Sequence, residues 1–472
     1  MAIPRVSTIG ISGLNAAKAG IATAGHNITN ANTEGYSRQR VVTESESPQG
    51  AYHGNTIVGS GARVARVERV NDEYLDKQIR NSFKEVSYHE EKDLALKQLE
   101  EIFNEASGEG LNRLVAKFFN DFRRLSQEPE NAALRESVRE SSIAVTQDFH
   151  RLAKELKSVR EHIDSRIDAS TQEVNSLLQE IAGLNQTIRT HENSGASPNG
   201  LLDQRDTALK KLGSYMNIST HKDKSGNLNV DLKGGGPLIS SVFPTQLSVA
   251  RTDLDSNGKA SNSLDIYSSG STPVQITHTL KGGRLGALVE VRDQILSQVT
   301  DKLDLLAFQL TTAVNEIHTQ GYTLEGTTGV SYFNSLDTVE RASEFIEVSA
   351  EISESSKNIA AAAIPGAPGD NRMALAIANL QSSKIMDQGR IGVDDWYNSM
   401  VSQVGIASAQ NQFALNQEKD VLTQLNRMRE HVSGVSIDEE TAQLMQFQHA
   451  FDASAKVVQI ADEMLKTIIS MK

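Results

Sequence analysis

The chain has 472 residues, of which 47 are Lys or Arg and 60 are Asp or Glu, so its formal net charge is −13. This balance argues against a protein that binds nucleic acid without sequence preference, because such a protein needs a cationic surface to hold phosphates. The sequence contains no cysteine, which excludes disulfides, thiolate metal sites and cysteine nucleophiles. No apolar run approaches the roughly 18 residues of a membrane span, and the first residues lack the pattern of a Sec-type signal peptide.

The first predicted element is a helix with unusually small side chains on its apolar stripe. The stripe steps by four and three residues in a heptad pattern, through Gly10, Leu14, Ala17, Ile21, Ala24 and Ile28. Small side chains let a partner backbone approach closely, but they bury little area, so the helix is predicted to be marginal alone. An Asn-rich turn that contains Asn32 and Gly35 ends the helix.

Long helices are predicted in the middle of the chain, as the small number of prolines, nine, permits. Residues 71–126 form a predicted helical pair that is broken near Gly108. Residues 131–192 follow one apolar pattern, which predicts a single helix roughly 90 Å long at 1.5 Å per residue. Two further long helices are predicted over residues 285–317 and 396–432.

Residues 215–280 differ from the rest, because short alternating stretches such as 227–232 and 273–280 are separated by Gly-rich turns. This pattern predicts a small antiparallel β unit. The stretch 320–386 is irregular and rich in Gly, Ser and Ala. We expect loops, short strands and one short helix there.

The last predicted element mirrors the first. Its apolar stripe is again a heptad, through Leu444, Phe447, Phe451, Ser454, Val458, Ala461, Leu465 and Ile468. Ser436 followed by Glu439 predicts a capping box at its start. Heptad helices at both ends of one chain predict that the two helices pack together, within the chain or between subunits. The simpler alternative is two ordinary amphipathic helices on one globule.

These elements predict a mainly α fold with a small antiparallel β portion, in which N- and C-terminal segments form a long-helix bundle or coiled coil around an inserted α+β middle. The predicted segments are an N-terminal helix with its Asn-rich turn (1–70), a long helical domain (71–214), the β unit (215–284), a helix that returns to the bundle (285–325), an irregular α+β segment (326–395), a long helix (396–435) and the C-terminal helix (436–472).

No motif in the sequence points to catalysis or to a cofactor. The HExxH zinc motif, the GxxxxGK[ST] phosphate loop and a GxGxxG turn in a βαβ unit are all missing. Residues 253–258 match the start of a calcium-binding loop, but Leu264 stands where that loop needs a bidentate Glu. A hairpin turn explains the same residues. We therefore predict no enzyme, no cofactor and no metal site.

Two groups of residues have a structural interpretation in preference to a chemical one. Asp203, Arg205 and Asp206 are interpreted as a salt-bridged turn at a helix start. Trp396 and Tyr397 are interpreted as core residues that anchor the start of a helix. The histidines are scattered, and we expect them in solvent or at interfaces.

Both ends of the chain resemble the terminal signatures of bacterial flagellar rod, hook and hook-associated proteins. In residues 12–41 a small-residue helix leads into an Asn-rich turn, and the signature is carried by Ala31, Asn32, Gly35, Tyr36, Arg38 and Gln39. Residues 433–469 resemble the matching C-terminal helix of that family. Middle stretches such as SPNGLLDQRDTAL and GGRLGALVEVRDQIL are similar to the hook-associated members that lie between hook and filament.

The resemblance implies a structural part of the flagellum, an adaptor ring at the hook–filament junction that filament assembly needs. Such proteins are extracellular and leave the cell through the flagellar type III channel without a Sec signal. The implied partners are further copies of the chain in head-to-tail contact, the hook protein, a second hook-associated protein on the filament side, the export apparatus and an export chaperone. Neither nucleic acid nor membrane insertion is implied. Family members often have a larger outer domain, so the length of this chain implies a reduced one.

The assembly interface is expected on the apolar stripes of the two terminal helices and on the Asn-rich turn that follows the first helix. The expected residues are Gly10, Leu14, Ala17, Ile21, Ala24, Ile28, Asn32, Gly35, Tyr36, Arg38, Gln39, Leu444, Phe447, Phe451, Val458, Ala461, Leu465 and Ile468. Two other interpretations remain, namely another flagellar axial subunit of the hook or rod, and an unrelated secreted coiled-coil binding protein. The long helix predicted over 131–192 argues against the first, and the paired terminal signatures argue against the second.

Overall fold

The computed structural model describes residues 3–46, 59–103, 110–223, 226–254, 260–269 and 273–470, most of which are helical. The helices are α1 (Ile3–Thr29), α2 (Glu73–Ile102), α3 (Leu111–Leu125), α4 (Ala132–Asn193), α5 (Asn199–Tyr215), α6 (Gly283–Glu290), α7 (Ser297–His318), α8 (Ala342–Phe345), α9 (Ala350–Glu354), α10 (Arg372–Asn379), α11 (Val393–Ser433) and α12 (Ile437–Ser470). The strands are β1 (Gln39–Ser45), β2 (Ala62–Arg69), β3 (Ile218–Lys222), β4 (Leu228–Leu232), β5 (Gly236–Ser240), β6 (Phe243–Pro244), β7 (Leu247–Leu254), β8 (Ala260–Ser268) and β9 (Val274–Gln275).

The longest helix, α4, runs over 62 residues and is the spine of the fold. Asn131 caps its start, because the side-chain oxygen accepts hydrogen bonds from the amides of Ala133 and Leu134. Its buried apolar face extends from Val138 to Ile188 and packs on α3, α5 and β7. The prediction of a single helix over 131–192 is confirmed.

Helices α2 and α11 lie side by side and close the body of the molecule. The amide group of Asn411 joins them through His89, with one hydrogen bond to the ring Nδ1 (2.8 Å) and one to the backbone carbonyl (2.9 Å). At the start of α11 the indole Nε1 of Trp396 donates to the carbonyl of Lys302 (3.1 Å), and Tyr397 is buried. The interpretation of this aromatic pair as a core anchor is confirmed.

A π-helical turn at Val291–Leu296 separates α6 from α7 within the helix predicted over 285–317. Arg292 in this turn is fully buried. It donates from Nη1 to the carboxylate of Asp164 (3.0 Å) and to the carbonyl of Leu264 (2.6 Å). A buried charge needs such partners to offset its desolvation. The turn therefore connects α4, β8 and the helix predicted over 285–317.

The described strands form antiparallel sheets in the orders β1-β2, β3-β4-β5-β6 and β7-β8-β9. The second and third sheets confirm the β unit predicted over 215–280. The β1–β2 hairpin, in which Gln39 pairs with Arg69, is an addition to the helix and turn predicted over 1–70. The Gly-rich turn between β4 and β5 uses positive φ angles of 88° at Gly234 and 94° at Gly236, which glycine adopts without strain.

The stretch between α7 and α11 is more helical than predicted. One short helix was expected over 320–386, but the structure places α8, α9 and α10 there, with isolated β-bridges in place of strands. An aromatic cluster orders the start of this stretch, since Tyr332 and Phe333 pack against Phe118 and Phe122. The expectation that the histidines lie in solvent or at interfaces is wrong for His318. It is fully buried, with its Nδ1 bonded to the carbonyl of Val330 (2.7 Å).

Candidate assembly site

The terminal helices α1 and α12 pack along each other in antiparallel directions. Gly10 lies against Val458, Gly13 against Ser454 and Gly20 against Phe447, so positions rise along α1 as they fall along α12. The approach is close, because a Cβ on Gly10 would lie 2.6 Å from the Val458 side chain, well inside contact distance. Small residues are therefore required at this seam by the separation of the two backbones.

The predicted stripe of α1 divides into residues inside the seam and residues beside it. Gly10, Ala17 and Ala24 are buried, together with Gly20 and Asn27, which the predicted stripe did not include. The larger residues of the prediction, Leu14, Ile21 and Ile28, are only half-buried. The side of α1 with the smallest residues thus faces α12, and the larger apolar residues flank the contact.

The predicted stripe of α12 divides in the same way. Ala461 is fully buried, while Leu444, Phe447, Val458 and Leu465 are half-buried. Phe451 and Ile468 are exposed by 38% and 55%. A single chain therefore brings the two predicted stripes together and leaves part of their apolar surface uncovered.

A cluster of hydrogen bonds, here called the clasp, joins this helix pair to the turn after α1. The clasp consists of Asn27, Tyr36, Arg38, Gln39 and Glu440. The Asn27 Oδ1 accepts from the Tyr36 hydroxyl (2.7 Å) and from the amide of Gln39 (2.9 Å). Its Nδ2 donates to the carbonyl of Gln39 (2.9 Å) and to Oε2 of Glu440 (2.9 Å). All the hydrogen-bonding capacity of this buried amide is used.

Arg38 provides the charge that Glu440 needs. Glu440 is 1% exposed, and its Oε1 accepts from Nε of Arg38 at 2.6 Å. A second nitrogen of the same guanidinium binds the exposed Glu439 at 3.0 Å. The backbone amide of Arg38 also donates to the carbonyl of Ser433 (3.1 Å), at the end of α11. Arg38 therefore contacts both helices at the α11–α12 junction.

Tyr36 is the member of the clasp that also contacts His26 of α1. Its hydroxyl is 2.8 Å from Nδ1 of His26. Burial, together with the nearby carboxylates of Asp203 and Glu440, raises the pKa of Tyr36 to about 12. A phenol is protonated at neutral pH even with its ordinary pKa, and the raised pKa keeps the hydroxyl able to donate to Asn27 in alkaline solution as well.

Ion pairs continue the clasp into the body. Arg69 at the end of β2 binds Asp203 (2.8 Å) and Asp206 (2.9 Å) of α5. Asp203 also accepts from the amide of Ser37 (3.3 Å). The salt-bridge interpretation is confirmed for Asp203 and Asp206, which pair with Arg69, but Arg205 of the same group has no carboxylate within 4.0 Å among the described residues. All three residues lie inside α5 rather than in a turn before it.

The remaining predicted turn residues differ in their roles. Gly35 has a φ of 81°, and a side chain there would collide with Thr207 of α5, so glycine is required. Asn32 is exposed. The interface expected from the sequence did not include Asn27, Arg69 or Glu440. A polar residue on a stripe of glycine and alanine was the available signal for Asn27.

No chemical centre accompanies these contacts in the described part of the chain. Among the described residues no three His, Asp or Glu side chains come close enough together to hold a metal ion. Most of the stretch that resembles a calcium-binding loop, residues 255–258, lies outside the described residues. Across the described helices, no stretch combines the length and the low charge that crossing a bilayer requires.

Comparisons with known proteins match both the body and the C-terminal helix. Residues 96–333 match the family described as "Flagellar hook-associated protein FlgK helical domain", and residues 431–471 match "Flagellar basal body rod FlgEFG protein C-terminal". The chain is 31% identical to Flagellar hook-associated protein 1 of Bacillus subtilis, over 97% of this chain and 96% of the relative. It is 25% identical to the protein of that name from Escherichia coli, over 98% of each.

A solved structure shares the fold. The flagellar hook junction protein FlgK from Burkholderia pseudomallei superposes with a TM-score of 0.67 at 16% identity, over 75% of this chain and 100% of that chain. The clasped terminal helices and these matches define a structural component of the bacterial flagellum, of the axial class. Within that class, the chain belongs to the FlgK family of flagellar hook-associated proteins. The resemblance stated from the sequence is confirmed.

Proposed function

We propose that this chain forms an adaptor ring between the flagellar hook and the filament, and that filament assembly requires this ring. The observation that carries the proposal is the terminal helix pair, which presents apolar side chains that the described chain leaves uncovered. Ile460 and Met464 are each 51% exposed, and Ile11 is 48% exposed. Apolar side chains exposed together along a helix pair are typical of surfaces that another protein covers.

The seam makes the helix pair dependent on its neighbours. Hydrophobic burial contributes roughly 25 cal/mol per Å², so glycine and alanine contribute little. Neighbouring subunits that cover Leu14, Ile21 and Ile28 would supply the missing burial and stabilise the ordered pair by mass action. Contacts in a tubular array are head to tail, so each copy presents two different surfaces.

The proposed partners follow from this position in the flagellum. They are further copies of the chain, the hook protein, a second hook-associated protein on the filament side, the flagellar type III export apparatus and an export chaperone. The chain acts outside the cell at the hook–filament junction, and its export does not use a Sec signal. It acts by assembly, without catalysis. A helix pair of low intrinsic stability supports this route, because little free energy is needed to unfold it for export.

We further propose that residues 1–70 and 436–472 work as one axial unit and that the segments between them form the body. The alignment with the Escherichia coli relative runs over 550 positions, more than the 472 residues of this chain. That relative therefore has insertions, which supports a reduced outer domain here.

A hook or rod subunit is the second candidate, and one observation favours it. Residues 431–471 match the C-terminal family of the rod proteins. That match covers α12 and the last residues of α11, whereas the FlgK match covers α4 and the β unit. The junction adaptor is therefore the better supported of the two.

Deletion of the gene, followed by electron microscopy of the cells and an assay of flagellin in the medium, tests the proposal. The adaptor role predicts hooks without filaments and flagellin lost to the medium. Normal filaments would contradict it. Loss of the hooks themselves would favour the hook or rod subunit instead.

A further inference from the structure

A cleft of about 630 Å³ lies beside the clasp, between the start of α2, the end of α4, α5 and β3. Its wall carries six Lys or Arg side chains and four carboxylates, although the whole chain has a net charge of −13. The cleft is therefore a local region of positive charge on an acidic protein. Such a region raises the local concentration of anions.

Most of the carboxylates on this wall are already paired. Asp206 binds Arg69 at 2.9 Å, and Asp76 lies 3.7 Å from Arg429. Glu73 lies 3.6 Å from Lys222. Among the described residues, these pairs involve only two of the six bases on the wall, Arg69 and Lys222, and the other four form no ion pair within 4.0 Å.

Three arginines on the wall, Arg80, Arg189 and Arg205, have no carboxylate within 4.0 Å among the described residues. Arg205 is the most informative of them because it is 8% exposed. Its Nη1 donates to Oδ1 of Asn185 (3.3 Å), but its buried Nε has no hydrogen-bond partner in the described part of the chain. Burial and the nearby charge of Arg69 lower the pKa of Arg205, although the carboxylates of Asp206 and Glu192 oppose this shift from beyond 4.0 Å. A buried guanidinium nitrogen without a hydrogen-bond partner is costly, and an anion in the cleft that accepted from it would offset that cost.

We propose that this cleft binds closely spaced carboxylates on an acidic segment of a neighbouring copy of the chain. Guanidinium groups donate paired hydrogen bonds to carboxylates, and three of them suit a ligand with more than one negative charge. The source of the ligand rests on the proposed function, in which acidic copies meet in a ring. The net charge of −13 makes a second copy electrostatically complementary to the cleft.

Isothermal titration of the full chain at low salt tests the site, with a tri-glutamate peptide and inorganic pyrophosphate as separate probes. Tri-glutamate is expected to bind, and Arg80→Gln and Arg189→Gln are each expected to weaken binding about tenfold. The matched control is Arg427→Gln, because Arg427 is an exposed arginine of α11 outside the cleft. It should leave the affinity unchanged. Arg189 is also exposed, so its replacement should leave the fold intact.

Absence of tri-glutamate binding would overturn the proposal, as would equal weakening by Arg189→Gln and Arg427→Gln. Binding of pyrophosphate alone would overturn the acidic segment as the source and assign the cleft to a phosphate. The titration uses the isolated chain without hook or filament. Absence of binding in the titration would therefore not contradict the adaptor role. Normal filaments in the deletion strain would contradict the adaptor role but not the binding of anions in the cleft.

Discussion

Asn27 is the central residue of the clasp, because one amide side chain joins α1, the turn after it and α12. It is 1% exposed and makes hydrogen bonds to Tyr36, Gln39 and Glu440. Buried networks of this kind stabilise only while every member is satisfied. The heptad pattern would allow a small apolar residue here, so the requirement for Asn comes from the contacts that the turn makes.

Asn27→Asp is expected to lower the free energy of unfolding of the helix pair by about 2 kcal/mol. The new carboxylate keeps the shape of the amide but loses both donors, and it faces the carboxylate of Glu440. Asn32→Asp is the matched control, because Asn32 is exposed on the same turn. Hydrogen exchange of α12 measures the effect. Equal exchange in the two variants would show that the clasp does not hold the pair.

His318 places a pH-sensitive group in the core of the body. Its pKa is lowered from 6.5 to about 4, mainly by burial and to a smaller extent by the charge of Arg135, while the hydrogen bond to Val330 opposes the shift. The folded state therefore binds the proton more weakly than the unfolded state. The stability from this residue is fully present above pH 6.5 and falls as the pH drops from 6.5 towards 4.

Between pH 7 and pH 5 the wild-type body should lose about 2 kcal/mol of unfolding free energy through His318. The variant His318→Gln lacks the titrating group. Its unfolding free energy should therefore fall by about 2 kcal/mol less than that of the wild type between pH 7 and pH 5. Urea unfolding at the two pH values gives both numbers. An identical pH dependence in the two proteins would mean that His318 binds its proton equally well in the folded and unfolded states, which would contradict the lowered pKa.

At the scale of elements, α1 and α12 show how small residues set the distance between two helices. A Cβ on Gly20 would lie 2.5 Å from the ring of Phe447, whereas a Cβ on Gly25 would meet nothing within 4 Å. Both glycines lie inside α1. They therefore form a matched pair in which only one substitution disturbs the seam.

Gly25→Ala is expected to stabilise α1 by up to about 1 kcal/mol, because alanine has the higher helix propensity. Gly20→Ala has the same gain but forces Phe447 or the whole helix to move, at a cost of about 1–3 kcal/mol. Thermal melting and limited proteolysis of the two variants compare them directly. Equal melting temperatures would contradict the close packing at Gly20.

The elements differ in how far the sequence could predict them. Helix α4 was predicted because its apolar residues repeat over 62 residues and Asn131 marks its start. The β1–β2 pair was missed because none of its strand residues is fully buried and their burial shows no regular alternation. The π-helical turn at Val291–Leu296 was missed because widening one turn hardly changes the apolar pattern.

The candidate site contains contacts that the sequence could predict and contacts that it could not. Periodicity identified both terminal stripes and therefore the seam between Gly10 and Val458. It could not identify the pairing of Arg69 with Asp203, because the two residues are 134 positions apart and neither belongs to a repeating pattern. The site thus depends on the tertiary fold wherever the helix pair joins the body.

The central proposal for the whole chain is that the terminal helix pair is the assembly element of this FlgK-family protein. The most direct measurement is complementation of the deletion strain with the double variant Leu14→Asp and Leu465→Asp. Both residues are half-buried on the predicted stripes. The control carries the same charges at Ser165→Asp and Ser176→Asp, which are exposed on α4. We predict that the control restores filaments, while the double variant keeps a folded body by thermal melting but yields none. Normal filaments with the double variant would contradict the claim.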